Sequence, residues 1–262
     1  ENAEETFVLL EELLFRQHID TKEFERNVKE HKEFLAYQQD EVDVLANRAF
    51  FGGIYGANHL LGRPTSGRLH DADNISIGSL LAFKEQYLNP ENCQIVCSGS
   101  ATQKEIEALL GFVSKWPKAN TQLPIIDSGN YTSGGQILIR HKEGAPQSEI
   151  RIGYPSMSYN ATGEFYKASI MNYPLGAAFN SRINLNLRED KGYTYGARSY
   201  FHGGRYQGPF VASAAVAANV TAQAVKEFMF EIANYREKGI GEEELAFTKK
   251  SLLYREALKY ET

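Results

Sequence analysis

The sequence predicts an α+β protein in which two mixed segments flank one linker. Three observations predict it. Apolar residues recur at helical spacing through most of the stretch before residue 117 and again after 222. Short runs rich in β-branched and aromatic residues lie between them, most densely after 136. A stretch containing Pro124, Gly129, Gly134 and Gly135, with several Asn, Ser and Thr, separates the two patterns at 118–135.

Each element follows in order. Residues 3–16 place Phe7, Leu10, Leu13 and Leu14 on one stripe, which predicts a helix. Asp20 and Glu23 have capping-box spacing and open a second helix, expected over 21–50 and stopped by Gly52-Gly53. Residues 54–74 read as irregular and contain His59-Leu60-Leu61-Gly62-Arg63-Pro64. A helix is expected over 75–88, broken by Asn89-Pro90. Residues 93–97 read as a buried strand with Cys93 and Cys97 on one face, small core residues too far apart along a strand for a disulfide. Thr102 with Glu105 caps a helix reaching 116.

After the linker, strands are expected at 137–141 and 149–154 and a helix at 164–171. A helix-like run follows, its apolar stripe set by Phe179, Ile183 and Leu187 and its end by Gly192. Residues 193–201 and 208–217 then form a hairpin around Gly203-Gly204. That glycine pair lacks the strand-to-helix setting and the Lys-Ser/Thr partner of a phosphate cradle. Helices at 222–238 and 242–259 are split by Gly239-Ile240-Gly241.

Composition narrows the function. A chain of 262 residues, 42% hydrophobic and 23% charged, can build one large core or two modest ones. A net charge of −5 gives no support for nucleic-acid binding. No apolar run approaches membrane-spanning length; 210–220 is short and rich in Ala. The first segment offers one strand against four helices, and one strand cannot make a sheet. The expectation is therefore that part of a domain lies outside this chain, as the abrupt stop at Tyr260-Glu261-Thr262 also suggests. Cut edges of this kind favour association with another chain, a second copy included.

The run Pro174–Tyr195 carries the candidate site. Arg188 closes the helix-like stretch and Tyr195 opens the strand, so both can face one cleft. Each also has a plain structural explanation: an Arg at a helix C-terminus suits the helix dipole, and a Tyr on a strand packs well.

In motif and order, nearly the whole chain resembles the insulinase/pitrilysin family of zinc endopeptidases, the inverted zincins. Phe24-Glu25-Arg26, His59–Pro64, the run 83–92, Gln147–Tyr154 and Glu243-Glu244-Leu245 with Lys249 each match a family motif. The resemblance implies metallopeptidase-like two-layer domains, with helices packed on mixed or antiparallel sheets. Residues 1–117 would be the second half of one such domain and 136–262 the first part of the next. An Arg and a Tyr seven residues later line the family's substrate chamber opposite the zinc; here they are Arg188 and Tyr195.

Active members carry His-x-x-Glu-His on a helix, two His gripping zinc and the Glu activating its water. The six histidines here, His18, His31, His59, His70, His141 and His202, include no pair four residues apart. Glu33 is the best positional match to the family's third ligand, but the residues before it are polar. The resemblance thus implies zinc in the intact enzyme or a partner subunit, none in this chain, and no cleavage by this chain alone. The partners implied are an unfolded peptide substrate and a zinc-bearing portion, upstream or on another subunit. Two other readings fit the same residues: an assembly subunit of the family without catalysis, and a free-standing peptide-binding module.

Overall fold

A computed structural model describes residues 2–16, 18–118, 121, 123, 125, 126 and 135–258. Most of the expected linker and the final Tyr260-Glu261-Thr262 lie outside the described residues. In chain order the helices are α1 (Ala3–Phe15), α2 (Thr21–Gln38), α3 (Val42–Tyr55), α4 (Ile77–Tyr87), α5 (Gln103–Leu109), α6 (Glu164–Asn172), α7 (Arg182–Asn184), α8 (Thr221–Lys238) and α9 (Glu242–Leu258). The strands are β1 (Gln147–Pro155), β2 (Ala197–Phe201) and β3 (Pro209–Ala217). The chain groups into two units, Glu1–Tyr37 with Ser66–Ile125, and Gln38–Thr65 with Ile126–Thr262. Residues 38–65 thus belong with the later part of the chain.

The first unit is helical among its described residues. Asp20 Oδ1 accepts from Glu23 N at 3.0 Å, opening α2 as its sequence implies. The reciprocal boxes Ser76/Ser79 and Thr102/Glu105 open α4 and α5. Phe15 packs edge-on against Phe112 and Trp116, with ring centroids 6.1 and 5.9 Å apart. Leu35 and Ala72 are buried, and Lys32 pairs with Asp73 at 2.6 Å.

Two expectations fail here. The helix expected over 21–50 breaks into α2 and α3, with a turn at 39–40 and extended backbone at Glu41. The polar run Gln38-Gln39-Asp40-Glu41 offers no face to bury, so packing does not carry the helix across it. Residues 93–97 form no strand, and Cys93 and Cys97 are exposed rather than core. The reason is pairing: the described residues of this unit contain no strand to hydrogen-bond with them.

The second unit is built on a three-stranded antiparallel sheet in the order β1-β3-β2. The hairpin and the 149–154 strand read from sequence are these strands. The expected strand at 137–141 is absent; Ile137 is 90% exposed and finds no ladder. Central β3 is buried along nearly its whole length, which explains its continuous apolar, Ala-rich run. One face of the sheet, Ile150 with Ala212 and Ala214, packs on Ile183, Leu187, Ala224 and Phe228. Alternation turns Arg151 and Gly153 to the other face. There α3 meets them: Arg151 Nε donates to Asn47 Oδ1 at 2.9 Å, and the Phe50 ring lies against Gly153.

After α6 the chain makes a π-helical turn, Tyr173–Ala177, that presses Gly176 onto β2. A Cβ on Gly176 would stand 2.1 Å from Ser199 Oγ and 2.6 Å from Ser199 N. Gly176→Ala is therefore expected to cost about 1–3 kcal/mol of stability, because backbone must move to admit it. A chemical-denaturation midpoint equal to wild type would show that the contact yields freely.

Candidate functional site

The run that carries Arg188 is helical but not regular. Ser181 is extended, α7 spans Arg182–Asn184, and the chain continues as a π-helical stretch, Leu185–Asp190. Lys191 N donates to Asn186 O at 3.0 Å, and Gly192, at φ +65, ends the run. Ile183 and Leu187 are fully buried, as their spacing implies. Phe179 departs from the expected stripe and is 73% exposed. The backbone is extended at Ala178 and Ser181, so helical periodicity does not reach back to Phe179.

That exposed ring supports Arg188. The guanidinium carbon lies 4.6 Å from the Phe179 centroid, a cation–π contact, and Nε is 3.5 Å from Glu189 Oε1. Arg188 is half-buried, and its guanidinium carries five N–H donors. Tyr195 is 93% exposed. It does not open a strand as expected; β2 begins at Ala197, and Tyr195 tops a short turn. The turn is held on both sides. Thr194 Oγ1 donates to Ala215 O at 2.6 Å and accepts from Gly196 N at 3.1 Å. Tyr193 N donates to Leu187 O at 2.9 Å. A large side chain is thus presented to solvent from a fixed base.

Several residues that hold this region are not evident from sequence reasoning. Asn184 donates from Nδ2 to Phe179 O at 2.6 Å and accepts at Oδ1 from Ala197 N at 2.9 Å. Asn172 Nδ2 donates to Ser199 O at 2.7 Å, and Ser199 Oγ donates to Asn172 Oδ1 at 2.6 Å. Asn186 Nδ2 reaches Glu227 Oε2 at 3.0 Å and Glu231 Oε1 at 2.7 Å. The available signal was Asn at helix-interior positions beside Ile and Leu, where it is a poor helix former without a partner.

Electrostatics single out a different arginine. Arg182 grips Glu244 with two bonds, Nε to Oε1 at 2.5 Å and Nη2 to Oε2 at 2.6 Å. It also donates to Gly239 O at 3.0 Å and lies 4.7 Å over the Tyr235 ring. Hydrogen bonding from Arg182 holds the Glu244 carboxyl below its ordinary value against the opposing effect of burial, with a further bond from Gly241 N at 2.8 Å. Burial pushes the Tyr235 phenol upward, and its hydroxyl donates to Met171 O at 2.7 Å. The Glu-Glu-Leu motif therefore anchors α9. A half-open cavity of about 220 Å³ adjoins this anchor, lined by Pro174, Ala178, Asn180, Glu243, Glu244 and Phe247.

Glu33 is an exposed side chain 3.9 Å from Lys29 Nζ. His31 Nε2 lies 3.1 Å from Ser66 O. Among the described residues no group of three or more His, Cys, Asp or Glu comes together to hold a metal ion. The described residues do not fit a zinc centre.

Comparison with known proteins accords with this geometry. Residues 74–252 match the family model described as the peptidase M16 inactive domain. An uncharacterized zinc protease of Bacillus subtilis is 23% identical over 256 residues, covering 96% of this chain and 60% of that protein. The crystal structure of a peptidase M16 inactive domain from Pseudomonas fluorescens superposes with a TM-score of 0.84 at 22% identity, over 95% of this chain and 60% of that one. A protease from Helicobacter pylori gives 0.80 at 17% identity, over 97% and 62%. The chain spans about 60% of the length of these relatives.

The Arg182–Glu244 pair yields a pH prediction. The carboxyl's folded value is depressed, so its contribution is full above the ordinary carboxylate range and is lost as pH falls through the folded value. Glu244→Gln is expected to cost about 1–2 kcal/mol at neutral pH and to remove that acid-side loss. Urea midpoints from neutral to acid pH check this; parallel curves for variant and wild type would refute it.

Proposed function

The chain belongs to the peptidase M16 (insulinase/pitrilysin) family, and from that footing we propose that it is the substrate-facing, non-catalytic portion of a zinc-dependent endopeptidase acting on unfolded peptides. The observation that supports this reading is an exposed Tyr195 on a fixed turn, seven residues after an Arg188 held on the Phe179 ring. Side chains kept for packing are not presented this way. A purely structural role would leave no use for Tyr195 in particular.

In this reading the zinc and its water-activating Glu belong to another portion of the peptidase or to a partner subunit. This chain's residues bind and orient. Arg188, charged at any working pH, donates to a peptide carbonyl or to the oxyanion that forms there; Tyr195 adds a neutral donor. Contacts to backbone rather than side chain favour loose sequence preference. Among the described residues no helix is long and apolar enough to cross a membrane.

Two tests follow. In the complete peptidase, Arg188→Ala is expected to lower kcat for an unfolded peptide by about 100-fold, the scale of one oxyanion donor. Folding should change by only about 1 kcal/mol or less. A loss of activity matched by an equal loss of folded protein would make Arg188 structural. Separately, elemental analysis of purified chain without a tag should find no stoichiometric zinc, and the chain alone should leave unfolded peptides uncut. One tightly held zinc per chain would overturn the assignment of catalysis to another portion.

A further inference from the structure

Asn184 is 4% exposed, and both ends of its amide are committed. The Nδ2 end faces a carbonyl, that of Phe179, and the Oδ1 end faces an amide N–H, that of Ala197. These partners settle which end is which. They also lie on the two segments that bear the candidate site. Phe179 is the residue whose ring supports the Arg188 guanidinium at 4.6 Å. Ala197 follows Tyr195 by two residues and closes the turn that Thr194 fixes from its other side. One buried side chain therefore touches both the shelf under Arg188 and the base of Tyr195.

We propose that Asn184 is a positioning residue that holds Arg188 and Tyr195 in a single geometry for a bound peptide; this rests on the substrate-facing reading above. An apolar residue would suit a buried site beside Ile183 better, and it would leave the Phe179 carbonyl and the Ala197 amide without partners. Asn172 provides an internal comparison. It is equally buried, and it serves β2 two residues further along through Ser199. Neither of its partners supports Arg188 or flanks Tyr195. If the only task were to fasten β2, the two asparagines would be equivalent.

The test uses the complete peptidase, an unfolded fluorogenic peptide and thermal melts. The variants are Asn184→Ala, Asn184→Asp and Asn172→Ala, with the Asn184 changes also placed in an Arg188→Ala/Tyr195→Phe background. Asn184→Ala is expected to lower kcat by about tenfold or more with a smaller change in KM, as lost positioning does. Asn172→Ala should lower the melting temperature comparably while kcat stays within about twofold of wild type. Asn184→Asp keeps the acceptor for Ala197 and sets a carboxylate oxygen against the Phe179 carbonyl, so its loss should be intermediate. It also carries the test if the Ala variant does not fold. In the Arg188→Ala/Tyr195→Phe background neither Asn184 change should lower kcat by more than about twofold, because residues that act as one unit do not add. Losses that multiply in that background, wild-type kcat in the Asn184 variants, or parallel losses in the Asn172 and Asn184 variants would overturn the proposal. Full turnover in the Arg188→Ala/Tyr195→Phe protein would remove the substrate-facing reading itself, a different and recognisable result.

Discussion

Strand β2 has β3 on one side and, among the described residues, no strand on the other, and the outward backbone groups of a strand in that position must still be satisfied. The run 172–184 answers this demand. Asn184 takes the Ala197 amide, Asn172 takes the Ser199 carbonyl, and Gly176 brings the turn close enough for both to reach. Side chains thus take, at Ala197 and Ser199, two of the bonds a further strand would otherwise take. Of the two π-helical stretches, 173–177 lies in the segment wrapped onto that edge and 185–190 follows it directly. Such stretches are uncommon and concentrate where function sets the geometry.

The two arginines of the run divide their work. Arg182 is drawn inward to Glu244, Gly239 and Tyr235 and fastens α9 to the start of α7. Arg188, six residues later, turns to the exposed Phe179 ring and meets only a loose carboxylate neighbour. Sequence alone does not separate them, because a guanidinium reads the same on either face. The π-helical stretch between them breaks the periodicity that would otherwise assign their directions. Burial and partners make the distinction.

What was legible in the sequence follows from how local the cause is. The box at Thr102/Glu105 and the start of α2 are set by residues three apart; the first stands as read, and at the second the Asp20 half of the box forms. The β2–β3 hairpin was likewise announced by its glycines. Features that depend on a distant partner were not legible. Val96, 90% exposed, lies in a run with strand character and no ladder to join, and Ile137 is in the same position. At 39–40 a helix pattern ends where a run of four polar residues offers no apolar face. At the candidate site, Arg188 and Tyr195 stood out through family resemblance, whereas the partners of Phe179 and Asn184 are set by the fold and not by spacing along the chain.

The absence of His-x-x-Glu-His and the presentation of Tyr195 bear on each other. A domain that builds its own metal centre needs several ligands converging from neighbouring elements, with outer hydrogen bonds to orient each of them. The convergent polar groups described here are spent otherwise: Asn172 and Asn184 on backbone, Glu244 on Arg182, and Asn186 on the carboxylates of Glu227 and Glu231. They make a rigid frame, and a rigid frame without ligands can still position donors for a reaction that another unit catalyses. Binding energy contributes to rate only where donors meet the developing charge in a fixed place. In the proposed reading Asn184 and the exposed Tyr195 belong to one design, in which a buried hydrogen-bonded amide below the surface gives an exposed side chain a defined position.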